Sequence, residues 1–269
     1  DLHQAEEELA NTRFNLEHAP PIRLQLLQEG PARTHVLMAI HHIAADAWSL
    51  NVLAEDMWHA YSQLSAGRPI NLPPIPSTFR DVVEHEQSEH ANAERDRQWW
   101  HERLSREDVV TLPYDGNPDS RRLCSLQVTT DAGLTRSLMQ LAAEHGVSLF
   151  QLLLAVQFSV VGEWAGLRRF AVNVAHARRH HRVQGIERMV GCFADTLPVH
   201  ATLDGNESPV LLAQRLRAAW LEVQGHSHVT SVDLARALKS TDGNPRNAAP
   251  VSFSFARFPV EKPDDSRLS

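Results

Sequence analysis

His35-Val36-Leu37-Met38-Ala39-Ile40-His41-His42-Ile43-Ala44-Ala45-Asp46-Ala47-Trp48-Ser49 is the stretch from which the rest of the chain is read. Its first six residues are apolar enough for a buried β-strand. Beyond it, Leu50, Leu53, Ala54, Met57, Trp58 and Tyr61 recur at helical spacing and predict a helix with one apolar face. Residues 41–49 therefore form a tight strand-to-helix connection, where a rigid strand end presents polar side chains to a substrate. The adjacent imidazoles of His41 and His42 point in different directions, so one faces a cleft while the other packs inward. Asp46, four residues past His42, is placed to turn back on the loop or to meet a cation. Ser49 lies in no Gly-x-Ser-x-Gly elbow, so it is read as a helix N-cap and not as a nucleophile.

The chain has 269 residues, enough for one large domain or two small ones. A net charge of -7 argues against a nucleic-acid or anionic-membrane surface as main partner. Cys124 and Cys192 lie in no CxxC context and suggest no disulfide framework, which points to a reducing cytoplasm. No signal-peptide pattern opens the chain, and the longest apolar stretch, Leu149 to Val161, is too short to span a bilayer. A soluble, cytoplasmic protein is expected. The sixteen histidines are scattered and not set at ligand spacing. His176, His180 and His181 stand among arginines whose charge opposes a cation, so no metal site is expected. The absence of an initiator Met and the polar tail 261–269 suggest a piece of something larger.

In chain order, residues 3–12 are helix-compatible, and Ile22–Leu27 reads as a strand ahead of the turn at Gly30-Pro31. The proline-rich stretch 66–77 reads as a loop. Ser77 or Thr78 then caps one long helix to about Leu104. A Gly/Asn/Pro/Asp/Ser cluster, Asp115–Arg122, marks the boundary between residues 1–115 and 116–269. After it come an alternating strand at Cys124, Leu126 and Val128 and a helix from about Asp131 that stops at Gly146. The next helix, capped by Ser148, is apolar almost all round and so is expected to be buried. A strand at Phe170–Ala175, a cationic loop at 178–182, an amphipathic helix from about Ser208 and an alternating strand at Pro250–Phe255 complete the chain.

His41-His42-Ile43-Ala44-Ala45-Asp46-Ala47 resembles the His-His-x-x-x-Asp-Gly signature of condensation domains from nonribosomal peptide synthetases, with alanine where the family has glycine. Val190-Gly191-Cys192-Phe193-Ala194-Asp195-Thr196-Leu197-Pro198 is similar to the family's Ile-Gly-x-Phe-Val-Asn-Thr-Leu-Pro, with Asp195 replacing asparagine. Asn173–Arg178 resembles Thr-Pro-Val-Ala-Gly-Arg, and Phe79–His85, Trp99-Trp100 and Leu112–Asp115 follow in the family's order. His226-Ser227-His228-Val229 is a poor match to His-Gln-Asp-Val-Pro-Phe. The resemblance implies a two-lobed α/β fold like chloramphenicol acetyltransferase, with a mixed sheet and helices in each lobe. It is expected to be partial here, because the first strands of one lobe and the closing portion of the other have no counterpart.

The same resemblance implies an acyltransferase. It would join an acyl or aminoacyl thioester on an upstream peptidyl carrier protein to an amine on a downstream one, in a tunnel between the lobes. The phosphopantetheine arms belong to the carriers, so the domain needs no cofactor of its own; the carriers and adjoining synthetase domains are its partners. The catalytic candidates are His42, His41 and Asp46. A neutral imidazole, with a pKa near ~6.5, can take the amine's proton at physiological pH. His42 either does this or hydrogen-bonds and positions the amine; His41 is read as packed, and Asp46 as a structural anion. Arg178 is the implied cation for Asp46 through a bidentate bond, set against the reading of a solvated arginine. The Ala47 amide can face the substrate carbonyl, where glycine permits closer approach, so altered activity is expected. Trp48, Ser49 and Asp195 complete the supporting set. Two rivals are a freestanding acyltransferase using soluble thioesters and a catalytically inactive docking module of the same fold.

Overall fold

The computed structural model describes residues 2–105, 110–113, 126–179, 182–238 and 246–257. The chain forms two compact units, residues 1–85 with 177–194 and residues 86–176 with 195–269. The expected boundary at 115/116 falls within 114–125, outside the described residues. Packing divides the chain instead at 85/86, and it returns the later segment 177–194 to the first unit.

In the first unit, α1 (Leu2–Asn11) precedes an antiparallel hairpin of β1 (Ile22–Gln28) and β2 (Thr34–Ile40), with Ile22 opposite Ile40 and Gln28 opposite Thr34. The expectation of a buried β2 is corrected: none of its residues is fully buried, and Val36 is exposed. This sheet has two strands among the described residues. After the motif loop runs α2 (Ala47–Ser65), then α3 (Phe79–Ser88). The single helix expected to Leu104 is interrupted at Glu89, and α4 (His90–Leu104) starts anew in the second unit. The small core of the first unit is Val82 from α3 with Ile186, Met189 and Phe193, three apolar residues contributed by the returning segment.

The second unit holds α4, α5 (Ala132–Glu144), α6 (Leu149–Ala165), β3 (Arg169–His176), β4 (Asp195–Thr202), α7 (Pro209–Gln224), α8 (Ser231–Ala237) and β5 (Val251–Phe253). Its sheet is mixed, in the order β4-β3-β5, antiparallel between β3 and β4 and parallel between β3 and β5. β3 is the central strand and reads as a nearly continuous apolar run because both its faces are covered. Leu154 and Phe158 of α6, Leu216 and Val223 of α7, and Val172, Val174, Leu197 and Val199 of the sheet form one core. Ser148 caps α6 as expected, and Asp131 and Ser208, read as the approximate starts of their helices, are caps as well; each accepts from the backbone N–H three residues on.

Two expectations fail here. Residues 126–130 form no strand, and Leu126 is 91% exposed, so Leu126 and Val128 join no ladder among the described residues; Cys124 lies outside the described residues. The helix α6 is not buried all round, since Val160 and Trp164 are about 60% exposed. No single helix among the described residues is long and apolar enough to cross a membrane.

Candidate functional site

Asp46 is the N-cap of α2, with an extended backbone, and its side chain accepts from the Ser49 amide at 2.8 Å. The serine expected to cap the helix is therefore the third residue inside it, and the aspartate does the capping. Only 2% of Asp46 is exposed. Its Oδ1 also accepts from Ser49 Oγ at 2.7 Å and from Arg179 Nη2 at 2.9 Å, while Oδ2 accepts from the amides of Phe193 and Ala194, both at 3.1 Å. Five donors on one carboxylate fill its acceptor capacity. Burial pushes the Asp46 carboxyl upward, but the Ser49 hydrogen bonds and the Arg179 charge outweigh it and hold the group below the ordinary aspartate range.

The guanidinium on Asp46 is thus that of Arg179, which corrects the pairing expected for Arg178. Arg178 takes a left-handed backbone, φ 44°, immediately before it. That turn changes which of two successive arginines faces the carboxylate, and no reading of residue types along the chain reveals it. Arg179 Nη1 donates to the carbonyls of Ile186 and Met189, at 2.8 and 2.7 Å, and its guanidinium lies 4.3 Å from the Phe193 ring centre. Burial lowers the Arg179 pKa, and Asp46 offsets part of that. Ser49, fully buried, accepts from the Gly191 amide and from Arg179 Nη2, and its single proton is offered to Asp46 Oδ1 or to the Gly191 carbonyl at 2.9 Å.

Gly191 is constrained by space. A methyl group there would lie 2.8 Å from the Phe193 ring and 2.9 Å from that of Phe79. Its carbonyl also accepts from the Asp46 amide at 3.2 Å. Two further bonds fasten the returning segment to α2: Trp48 Nε1 donates to the Glu187 carbonyl at 2.7 Å, and Arg188 Nη2 meets Asp56 Oδ1 at 2.6 Å. The start of α2 is therefore locked from below by a buried polar cluster drawn from residues 179–194.

Above that cluster the two histidines separate. His41 is half-buried: its amide donates to the Pro21 carbonyl, its Nδ1 accepts from the Ile43 amide at 3.1 Å, and Phe14 meets it edge-on at 5.9 Å. Arg23 holds Phe14 in place, stacking on its ring at 3.9 Å while donating to the carbonyls of Thr12 and Arg13. His42 is exposed, with Nδ1 3.5 Å from Cys192 Sγ. Ala47 opens α2, is exposed and has no left-handed backbone, so its conformation does not call for glycine.

The condensation-domain sequence profile matches residues 1–267. The chain belongs to the condensation-domain family. Chondramide synthase of Chondromyces crocatus is 30% identical over 236 residues, 86% of this chain and 6% of that protein. Malpibaldin synthetase of Mortierella alpina is 26% identical over 241 residues, 86% of this chain and 4% of that protein. The chain thus spans a small fraction of such curated relatives. In fold it is similar to the first condensation domain of the CDA synthetase, with a TM-score of 0.80 at 19% identity over 95% of this chain and 57% of that one. The X-domain from teicoplanin biosynthesis gives a TM-score of 0.71 at 24% identity, over 91% of this chain and 56% of that one. These neighbours have the two-lobed α/β fold expected from the motif, here in partial extent.

Asp195, where the condensation-domain pattern has asparagine, stands at the start of β4 in the second unit. Its carboxylate accepts from its neighbour's amide, Thr196, at 2.8 Å and from the Ser231 amide at 3.0 Å, holding the first turn of α8. Arg179, Arg188 and Gly191 are the site-shaping residues that the sequence reading passed over. Arg179 was signalled only as part of the cationic loop 178–182 and Gly191 only by the Gly191-Cys192-Phe193 match, neither of which says what the residue touches; Arg188 carried no signal.

Proposed function

We propose that this condensation domain forms an amide bond between an acyl or aminoacyl thioester on one carrier protein and an amine on the next. The amine attacks the thioester carbonyl and gives up a proton; the tetrahedral intermediate then collapses, and the departing pantetheine thiolate is protonated. His42 takes or holds the amine's proton. The observation that carries the reading is the contrast within the motif: Asp46 and Ser49 are buried and fully bonded, while the His42 ring is the exposed titratable group on the loop they brace. A fixed loop with one accessible imidazole suits general base catalysis, typically worth about 10²–10⁴-fold, alongside orientation of two tethered substrates. Asp46 is too enclosed to touch a substrate and acts as a positioning residue through the loop. On this reading the domain works in the cytoplasm beside its carriers and adjoining synthetase domains, whose phosphopantetheine arms bring both substrates.

Incubation with donor- and acceptor-loaded carriers, followed by mass spectrometry of the pantetheine-bound species, tests the proposal. The condensed product is expected on the acceptor carrier and is expected to vanish with His42→Ala. Product formed from coenzyme A thioesters and untethered amines, but not from loaded carriers, would mean a freestanding acyltransferase. No condensation with either substrate set, combined with binding of a synthetase-associated protein that His42→Ala leaves intact, would mean a docking module.

A further inference from the structure

The amine-facing nitrogen of His42 can act as a base only if the ring's proton sits on the other nitrogen. That requirement makes the partner of Nδ1 decisive. Among the described residues the hydrogen-bond partner of the His42 ring is Cys192, its Sγ 3.5 Å from Nδ1. Cys192 follows the tightly packed Gly191 and precedes Phe193, whose amide is bonded to Asp46, so its backbone is held on both sides by the buried cluster. We propose that Cys192 is a positioning residue for the reaction: its sulfur accepts the Nδ1–H of His42, which leaves Nε2 unprotonated and free to act as the base.

The contact can be made either way, ring N–H to sulfur or S–H to ring nitrogen; the proposal is the first, in which the ring keeps its proton on Nδ1. His41 shows the opposite arrangement on the same loop. Its Nδ1 accepts from the Ile43 amide, so its neutral ring carries the proton on Nε2. Two adjacent imidazoles are thereby held in different tautomers by two different neighbours, and of the two residues His42 is the exposed one. The role of Cys192 rests on His42 being the base, but the tautomer can be observed without any turnover.

The test combines both readouts on the full chain, using histidine ¹⁵N-labelled protein with the His42 signals assigned by their loss in His42→Gln. The wild-type ring at neutral pH is expected as Nδ1–H. Cys192→Ala, which removes the acceptor at an exposed position, should shift it toward Nε2–H. In the carrier assay the same variant should lower kcat about 3–10-fold with KM little changed, below the full worth of a general base because a fraction of rings still carries the productive tautomer. Cys192→Ser, which restores an acceptor, should recover the Nδ1–H form and most of the rate. A wild-type ring protonated on Nε2, or a tautomer unchanged in Cys192→Ala, overturns the proposal. If the tautomer responds as expected but no carrier-bound amide forms in any variant, the functional reading fails and the tautomer assignment stands.

Discussion

Asp46 and Asp96 are both shut off from solvent, at 2% and 0% exposure, yet the groups that satisfy them differ in kind. Asp46, in the first unit, is held by a guanidinium, a hydroxyl and three backbone amides. Asp96 lies on the buried face of α4 with Trp100 and Leu104, in the second unit. It accepts from Arg95, from His226 Nδ1 at 3.1 Å, from His228 Nδ1 at 2.8 Å and from the His228 amide at 3.0 Å. Trp99 stacks on His226 with ring centres 4.1 Å apart, and Trp100 Nε1 donates to the His226 carbonyl at 2.8 Å. The difference teaches what each cluster is suited for. A guanidinium keeps its charge at every pH the protein meets, whereas an imidazole is the side chain that changes charge in the physiological range. The loop under His42 is thus braced by a partner whose charge is fixed.

The largest effect expected is in acid, where both clusters fail together. Burial raises the Asp96 carboxyl, but hydrogen bonds from His228, Arg95 and His226 outweigh it, so Asp96, like Asp46, is held below the ordinary aspartate value of 3.8. The unfolded chain therefore takes up these protons first. The stabilisation is complete above that value and is lost as the pH falls through the depressed values of the folded state. Urea unfolding should show a steep loss of stability below about pH 4 in the wild type and a shallower one in the Asp46→Asn/Asp96→Asn double variant; equal slopes would count against both carboxylates.

The next effect separates the clusters. Arg179→Ala leaves Asp46 charged and enclosed and should cost about 3–5 kcal/mol at neutral pH. Asp96→Asn should cost about 2 kcal/mol, because His226 and His228 retain partial access to water and can be resolvated. A larger loss from Asp96→Asn than from Arg179→Ala would reverse the comparison. Gly191→Ala, which forces a methyl between Phe79 and Phe193, should cost about 1–2 kcal/mol and lower activity through the loop. Trp48→Phe, which removes one partly exposed hydrogen bond to Glu187, should cost about 0.5–1 kcal/mol. Each is read from the shift in urea midpoint at unchanged slope.

Much of this was legible in the chain. An apolar run marked β2, alternation marked β5, helical spacing marked α2, α5 and α7, and Ser148 announced its helix as an N-cap. The motif located the loop, its two histidines and Asp46. What remained hidden depends on geometry that residue types do not encode. The choice of Arg179 over Arg178 turns on a single left-handed φ. The Asp96 cluster was invisible because α4 is polar almost throughout, so a carboxylate on its buried face looks like one more solvated charge. Its partners His226 and His228 lie 130 and 132 positions away along the chain. Leu126 and Val128 show the converse, an alternating pattern with no strand to pair against among the described residues.

The most direct measurement of the central claim is the single-turnover rate of amide appearance on the acceptor carrier, compared between the wild type and His42→Gln, with the urea midpoint of each measured alongside. His42 is exposed and lies outside the Asp46 cluster, so the account predicts an unchanged midpoint and a rate lower by about 10²–10⁴-fold. A His42→Gln protein that forms the amide at the wild-type rate would contradict it.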